Sequence, residues 1–464
     1  MNPSSHSFLL LTLFVNDESN ADMVRSTGYT VTVKETETVA AASPVGEHRL
    51  PLSNLDLLLP ALDVGVFFCY KKPRGKHYPS LASLVCSLKA SLAETLEMYY
   101  PFAGEVVANS AGEPELLCNN RGVDFVVAQA DVELRALRLC DPSESVEGKL
   151  VPPKKGGVLC VQATELKCGS LVLACAFDHR VADACSTNMF LVAWSELSTS
   201  KPLSCLPAFC RSLLFPRSPL RVDHSFDHLY VPFSSLPPPE PDHSEEAINR
   251  IYYIAAADID RMQSSTKGRT KIEAFTAYLW RALAKTAAPG DNWCRMGIVV
   301  DGRARLRDTV MSSYFGNVLS IPYGTLRVEE LRRMEVAEVA EVVHSWLQQE
   351  ATEEHFRGLV DWVEVHRPEP AVARIYSKEG GPACVVSSGR EFPVAEVQFG
   401  WGKAAFGSYH FPWGGSTGYV MPMPSATADG DWVVYVYLLK KVAEVLEAEQ
   451  PPVFRTLTSD YYLP

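Results

Sequence analysis

A strongly apolar run, Leu171 to Phe177, ends in "DHRVADACS", which sets His179 four residues before Asp183. An imidazole titrates near neutral pH and can take a proton from a hydroxyl or amine as a general base. Asp183 stands directly before a helical pattern and is an obvious N-cap for it. H-x-x-x-D fixes only two letters, so both readings stand on these residues alone. A second candidate is "GGSTG", Gly414 to Gly418, which matches the G-x-S-x-G nucleophile elbow. That elbow needs a helix after the serine, and "YVMPMPSATADGDW" cannot start one at Ser416, so a glycine-rich loop is expected. The third is "VQFGWGKAAF", where two glycines flank Trp401 and let the backbone turn tightly. Its indole N–H could donate to a developing oxyanion, or the ring could simply pack.

The elements that must position these groups follow from periodicity. Leu171–Phe177 reads as a buried strand, and "VGVFFCYKK" as another. Leu and Val recur at 81, 84, 85, 88, 92 and 96, one apolar face of a helix that Pro101 and Gly104 close off. A helix is expected from about Ala184 to Leu197, another over Lys271–Lys285, and a charged one over Val328–Glu353. Short strands are expected near 116–118, 125–127 and 158–161, and a β-rich stretch over Val394–Val436 precedes a last helix at Leu438–Ala448. Prolines crowd between Lys201 and Pro241. The class is α/β with two domains: residues 23–200 and 246–464, joined by a crossover at 201–245, with 1–22 an extension outside the fold.

A net charge of −12, with no Lys/Arg block, argues against a nucleic-acid surface. Twelve cysteines, none spaced C-x-x-C, indicate reduced structural thiols and no zinc site. The apolar run Phe8–Val15 is too short to span a bilayer and has no basic residue before it. A cytoplasmic location without membrane contact is expected, with Met23 a plausible alternative start.

Together "HRVAD", "FGWGK", "YYPFAG", "CNNRGVDF", "IEAFTAYLWRA", "VVDGRARL" and "YFGN", in this order, resemble the plant BAHD acyl-CoA-dependent acyltransferases. The resemblance runs from Met23 nearly to the end of the chain. It implies two chloramphenicol-acetyltransferase-like domains with an inter-domain active-site tunnel, acyl-CoA as co-substrate, and neither metal nor cofactor. By the resemblance, His179 is the general base and Trp401 the oxyanion donor. Asp183 is turned away to pair with Arg303 of "DGRAR" and hold the catalytic loop. Gln398 departs from the family pattern, which has aspartate there; glutamine keeps hydrogen bonds but cannot ionise. A structural change that leaves catalysis intact is the favoured reading, and an impaired acyl-CoA-binding homologue the other. Ala404, where a proline commonly follows the lysine, is a milder departure.

Within that family the chain is most similar to hydroxycinnamoyltransferases and coniferyl-alcohol acyltransferases. Ser53 and Asp56 of "LPLSNLDLLLP" are expected near the acceptor end. Shikimate- or quinate-using members hold the acceptor carboxylate on an arginine sought here near Glu379–Gly381, and tend to carry tryptophan at the position of Gly389. A neutral phenylpropanoid-type alcohol is therefore expected as acceptor, and hydroxycinnamoyl, acetyl or malonyl as the transferred group. Shikimate, quinate or an amine is the alternative acceptor, and a thioesterase-like hydrolase the alternative enzyme. The protein is expected to be a monomer.

Overall fold

The computed structural model describes residues 28–73, 80–235, 247–377, 381–427 and 430–463. The expected extension at 1–22 lies outside them.

Two sheets carry the chain. The first has six strands, in the order Val31–Val39, Val123–Ala130, Leu159–Leu166, Leu171–Asp178, Asp63–Tyr70 and Phe406–His410. Leu171–Asp178 lies antiparallel between Leu159–Leu166 and Asp63–Tyr70, and all its residues are buried. Its unbroken apolar sequence reflects cover on both faces. Helices Leu81–Met98 and Ala184–Ser198 pack together over this core, where the Trp194 indole donates to Leu88 O at 3.2 Å. Ser80 caps the first of them by accepting from the Ser83 amide.

The second sheet has eight strands. Trp293–Asp301, Ala383–Ser387, Gly418–Pro424, Trp432–Leu439 and Ala247–Ile254 form its centre. Helix Lys271–Lys285 begins with a capping box between Thr270 and Glu273, and its Trp280 donates to Cys294 O of the sheet.

Three features differ from expectation. Phe406–His410, assigned by sequence to the second domain, pairs with Asp63–Tyr70 of the first sheet. Phe392, Val394, Val397, Phe399 and Trp401 join the same core, so the chain returns to its first half. The charged helix expected over Val328–Glu353 is two helices, Val328–Arg333 and Val336–Glu350. Met334 and Glu335 between them are extended, and Glu335 opens a fresh capping box with Glu338. A further helix, Glu353–His366, follows. All twelve cysteines are free thiols. No helix of the described residues is long and apolar enough to cross a membrane.

Candidate active site

His179 follows the last residue of the central strand Leu171–Asp178. Its amide donates to Leu62 O at 2.9 Å and its carbonyl accepts from Asn317 Nδ2 at 2.9 Å, so the main chain is fixed on both sides. Next to it Arg180 grips the Asp178 carboxylate through Nε (2.9 Å) and Nη2 (2.6 Å). The imidazole meets Phe411 edge-on, with ring centroids 5.9 Å apart. It lines a chamber of about 1690 Å³ whose walls come from both sheets, including Val64 and Phe177 from one and Ile298, Val300, Tyr419 and Met421 from the other. Burial holds its pKa below the usual 6.5, against the opposing pull of its own and the Ala182 main chain and of Asp183 and Asp178. The resting ring is therefore neutral, the form a base requires.

Asp183 is both cap and ion-pair partner. Its Oδ1 accepts from the Ser186 amide (2.9 Å), capping helix Ala184–Ser198, and from Arg303 Nη2 (3.1 Å). Its Oδ2 accepts from Arg303 Nη1 (2.7 Å) and the Val318 amide (3.3 Å). Both partners are at least nine-tenths buried. Arg303 also donates to the Tyr314 and Gly316 carbonyls, to Ser186 Oγ and to Asp301, which uses every arm of its fork. The nearby carboxylates raise its pKa further, so this cation is permanent.

The same junction holds Ser53, in a role different from the one expected. Its amide and hydroxyl both donate to Asp56 Oδ2 at 2.7 Å, and it does not line the chamber. Asp56 Oδ1 accepts from Asn317 N (2.7 Å) and Nδ2 (2.9 Å). Asp56 and Asn317 thus tie the segment after strand Trp293–Asp301 to the His179 loop. Asp56, expected with Ser53 near the acceptor end, instead ties two segments together, and Asn317 of "YFGN" carries no expected role in the sequence. The one local signal is an amide closing the otherwise apolar "YFGN"; Asp56 stands among polar neighbours in "SNLD" and is not distinguished by them.

Trp401 and Gln398 stand apart. Phe399, Gly400 and Gly402 all have positive φ (48°, 78° and 92°), which coils this loop onto helix Ala184–Ser198. The Gln398 amide donates to Ser195 Oγ at 2.9 Å, and Tyr70 donates to Val397 O at 3.2 Å. Trp401 is buried in the first core, its indole nitrogen without a hydrogen-bond partner, and neither it nor Gln398 lines the chamber. The oxyanion role expected of Trp401 is therefore not matched by its position.

Gly389 has a reason of its own to be glycine. Its amide donates to Pro422 O at 2.9 Å, and a Cβ there would sit 2.5 Å from Met423 Cγ. It marks a close approach of two main-chain segments at the wall of the chamber, which it lines. Of the stretch where a carboxylate clamp is sought, Glu379 and Gly380 lie outside the described residues and Gly381 offers no side chain; the nearby Arg390 is engaged by Glu391 at 2.9 Å. Ser416 precedes the strand Gly418–Pro424, not a helix, which removes the nucleophile elbow.

The chamber lining is chemically uneven. Leu55, Leu58, Tyr230, Ile321, Val372 and Tyr376 give it an apolar and aromatic part. Lys271, Arg305, Arg307 and Arg390 give it cationic groups. A buried chain stands behind Tyr230: its hydroxyl accepts from the Ile321 amide (3.1 Å) and meets Ser320 Oγ (3.0 Å). Ser320 meets His355 Nε2 (2.7 Å), and His355 Nδ1 meets Glu350 (2.6 Å).

A two-sheet α/β protein with a histidine at a strand end, facing a chamber shared by both halves, has the form of an acyl-transferring enzyme. Residues 29–451 match the Transferase family, and the chain belongs to it, as a BAHD acyltransferase. It is 27% identical over 431 residues to a hydroxycinnamoyltransferase of Narcissus pseudonarcissus, covering 88% of this chain and 96% of that protein. A benzyl alcohol O-benzoyltransferase of Petunia hybrida is 27% identical over 403 residues, 82% of this chain and 83% of the relative. Among solved structures, vinorine synthase superposes with a TM-score of 0.68 at 18% identity, covering 93% of this chain and 100% of that one. F. graminearum TRI101, complexed with coenzyme A and T-2 mycotoxin, gives 0.69 at 14%, covering 87% and 98%. These likenesses agree with the two chloramphenicol-acetyltransferase-like domains anticipated from the motifs.

Proposed function

We propose that the protein transfers an acyl group from a CoA thioester to the hydroxyl of a neutral aromatic alcohol of the phenylpropanoid type. The observation that carries this reading is the apolar and aromatic wall formed by Leu55, Leu58, Tyr230, Ile321, Val372 and Tyr376, in one chamber with His179. An uncharged ring is favoured against such a wall, whereas a carboxylate would lose its hydration without a partner there. Of the cationic lining groups, Arg305 and Arg307 suit the phosphates of CoA.

His179 removes the acceptor's hydroxyl proton as the oxygen attacks the thioester carbonyl. The tetrahedral intermediate collapses by breaking the C–S bond, and the proton on His179 passes to the departing thiolate. The products are the ester and free CoA, with no acyl-enzyme. Asp183 and Arg303 hold the loop and touch neither substrate. Trp401 packs the first core. Incubating the purified protein with hydroxycinnamoyl-, acetyl- and malonyl-CoA and a panel of alcohols, shikimate, quinate and amines, read by mass spectrometry, tests this directly. Esters of neutral aromatic alcohols are expected. Preferential acylation of shikimate would refute the acceptor reading, and release of free acid would indicate a hydrolase.

The alternative of an impaired homologue rests on Gln398. Against it stands the anchoring of that residue through its main chain, away from the chamber. Gln398→Asp is expected to change kcat by less than about tenfold, because the side chain does not reach the reacting atoms. A gain of several orders of magnitude would mean that the native chain is impaired.

A further inference from the structure

Four tyrosines line the chamber, and three have their hydroxyls committed to protein partners. Tyr230 is held by the Ile321 amide and Ser320. Tyr409 donates to Asn188 Oδ1 at 2.8 Å, and Tyr419 is paired with Ser387. The fourth, Tyr376, has no hydrogen-bond partner among the described residues, although its ring is fixed edge-on to Trp413 with centroids 5.0 Å apart. Trp413 is itself locked by its indole donating to Thr417 O at 3.1 Å. Tyr376 also packs against the apolar cluster that contains Leu55, Leu58, Tyr230 and Ile321. A rigid ring carrying a free hydroxyl, set in an apolar wall, is a preorganised donor waiting for a ligand oxygen.

We infer that Tyr376 is a specificity-determining residue, whose hydroxyl hydrogen-bonds an oxygen on the ring of the acceptor, so that phenolic alcohols are selected over their unsubstituted analogues. This rests on the neutral aromatic acceptor proposed above. An acceptor with a ring hydroxyl replaces the water that Tyr376 loses when the chamber fills. An acceptor without one leaves the phenol buried and unpaired, the situation that gives a hydrogen-bonding site its discrimination. Burial pushes the Tyr376 pKa up, so it remains a protonated donor at any working pH.

The test compares binding of 4-hydroxycinnamyl alcohol and cinnamyl alcohol by calorimetry, for the native protein and Tyr376→Phe. The native protein is expected to bind the phenol at least about tenfold more tightly. Tyr376→Phe should abolish that preference from both sides, weakening the phenol, whose ring hydroxyl loses its partner, and tightening cinnamyl alcohol, which no longer leaves a buried hydroxyl unpaired. In turnover, the acceptor KM for the phenol should rise with kcat little altered. The variant breaks no protein hydrogen bond, so its melting temperature should match the native one, which separates lost recognition from lost structure. Equal binding of both alcohols by the native protein, or a preference that survives in Tyr376→Phe, overturns the inference while leaving the proposed function standing. Binding of neither alcohol together with binding of shikimate overturns both.

Discussion

The two motifs most visible in the sequence, "HRVAD" and "FGWGK", have opposite fates in the fold. The first becomes a junction: His179, Asp183 and Ser186 are bound by Arg303, Gly316, Asn317 and Val318 from the other half of the chain, and His179 and Asp183 face the chamber. The second becomes core: Phe399 packs against Trp194 of helix Ala184–Ser198, Trp401 is buried in the same core, and neither lines the chamber. Both hold a side chain capable of chemistry, yet only one brings it to a surface where two substrates can meet. A fixed letter pattern reports that a residue type is needed; its surroundings report for what.

That contrast can be broken by mutation. His179→Ala is expected to have the largest effect, lowering kcat by about 10²–10⁴ with the fold retained, as loss of a general base does. A folded variant keeping more than about a tenth of native kcat would remove His179 from the chemistry. Asp183→Ala should lose activity and stability together, by about 3–5 kcal/mol, because it removes the buried carboxylate from Arg303, leaving it the more exposed Asp301, and uncaps a helix. Denaturant unfolding measures this, and a variant as stable as the native protein yet inactive would move Asp183 into the chemistry. Trp401→Phe sharpens the comparison from the other side. Removing an oxyanion donor costs about 10²–10³ in kcat, whereas loss of an unpartnered indole nitrogen from a core should change kcat by less than about tenfold. A loss of the larger size would restore Trp401 to the active site.

The parts of the molecule legible in the sequence are those fixed by neighbours along the chain. The helix Leu81–Met98 follows from its apolar spacing, and Lys271–Lys285 is expected at the bounds where the structure places it. The central strand before His179 is evident because burial on both faces leaves it no polar alternation. What could not be read depends on distant partners. Phe406–His410 looks like any other C-terminal strand until its pairing with Asp63–Tyr70 is known. The break at Met334–Glu335 carries neither proline nor glycine, only a second capping glutamate at 338. Ser53 resembles a substrate-facing hydroxyl in sequence, and only its bonds to Asp56 show it turned inward. For the site, the His179–Asp183 spacing is local and visible. The Asp56–Asn317 tie spans most of the chain and is not.

The most direct test of the central claim, that a buried neutral imidazole at His179 is the base, is the pH dependence of kcat/KM for acyl transfer. Burial lowers the folded-state pKa of His179 below 6.5. The ring is thus neutral and competent above that value, and is lost as a base when pH falls through it. The expected profile is level through neutral pH with a single acid limb centred below 6.5, absent from the residual activity of His179→Ala. A limb centred above 6.5, or one that persists unchanged in His179→Ala, would contradict the assignment.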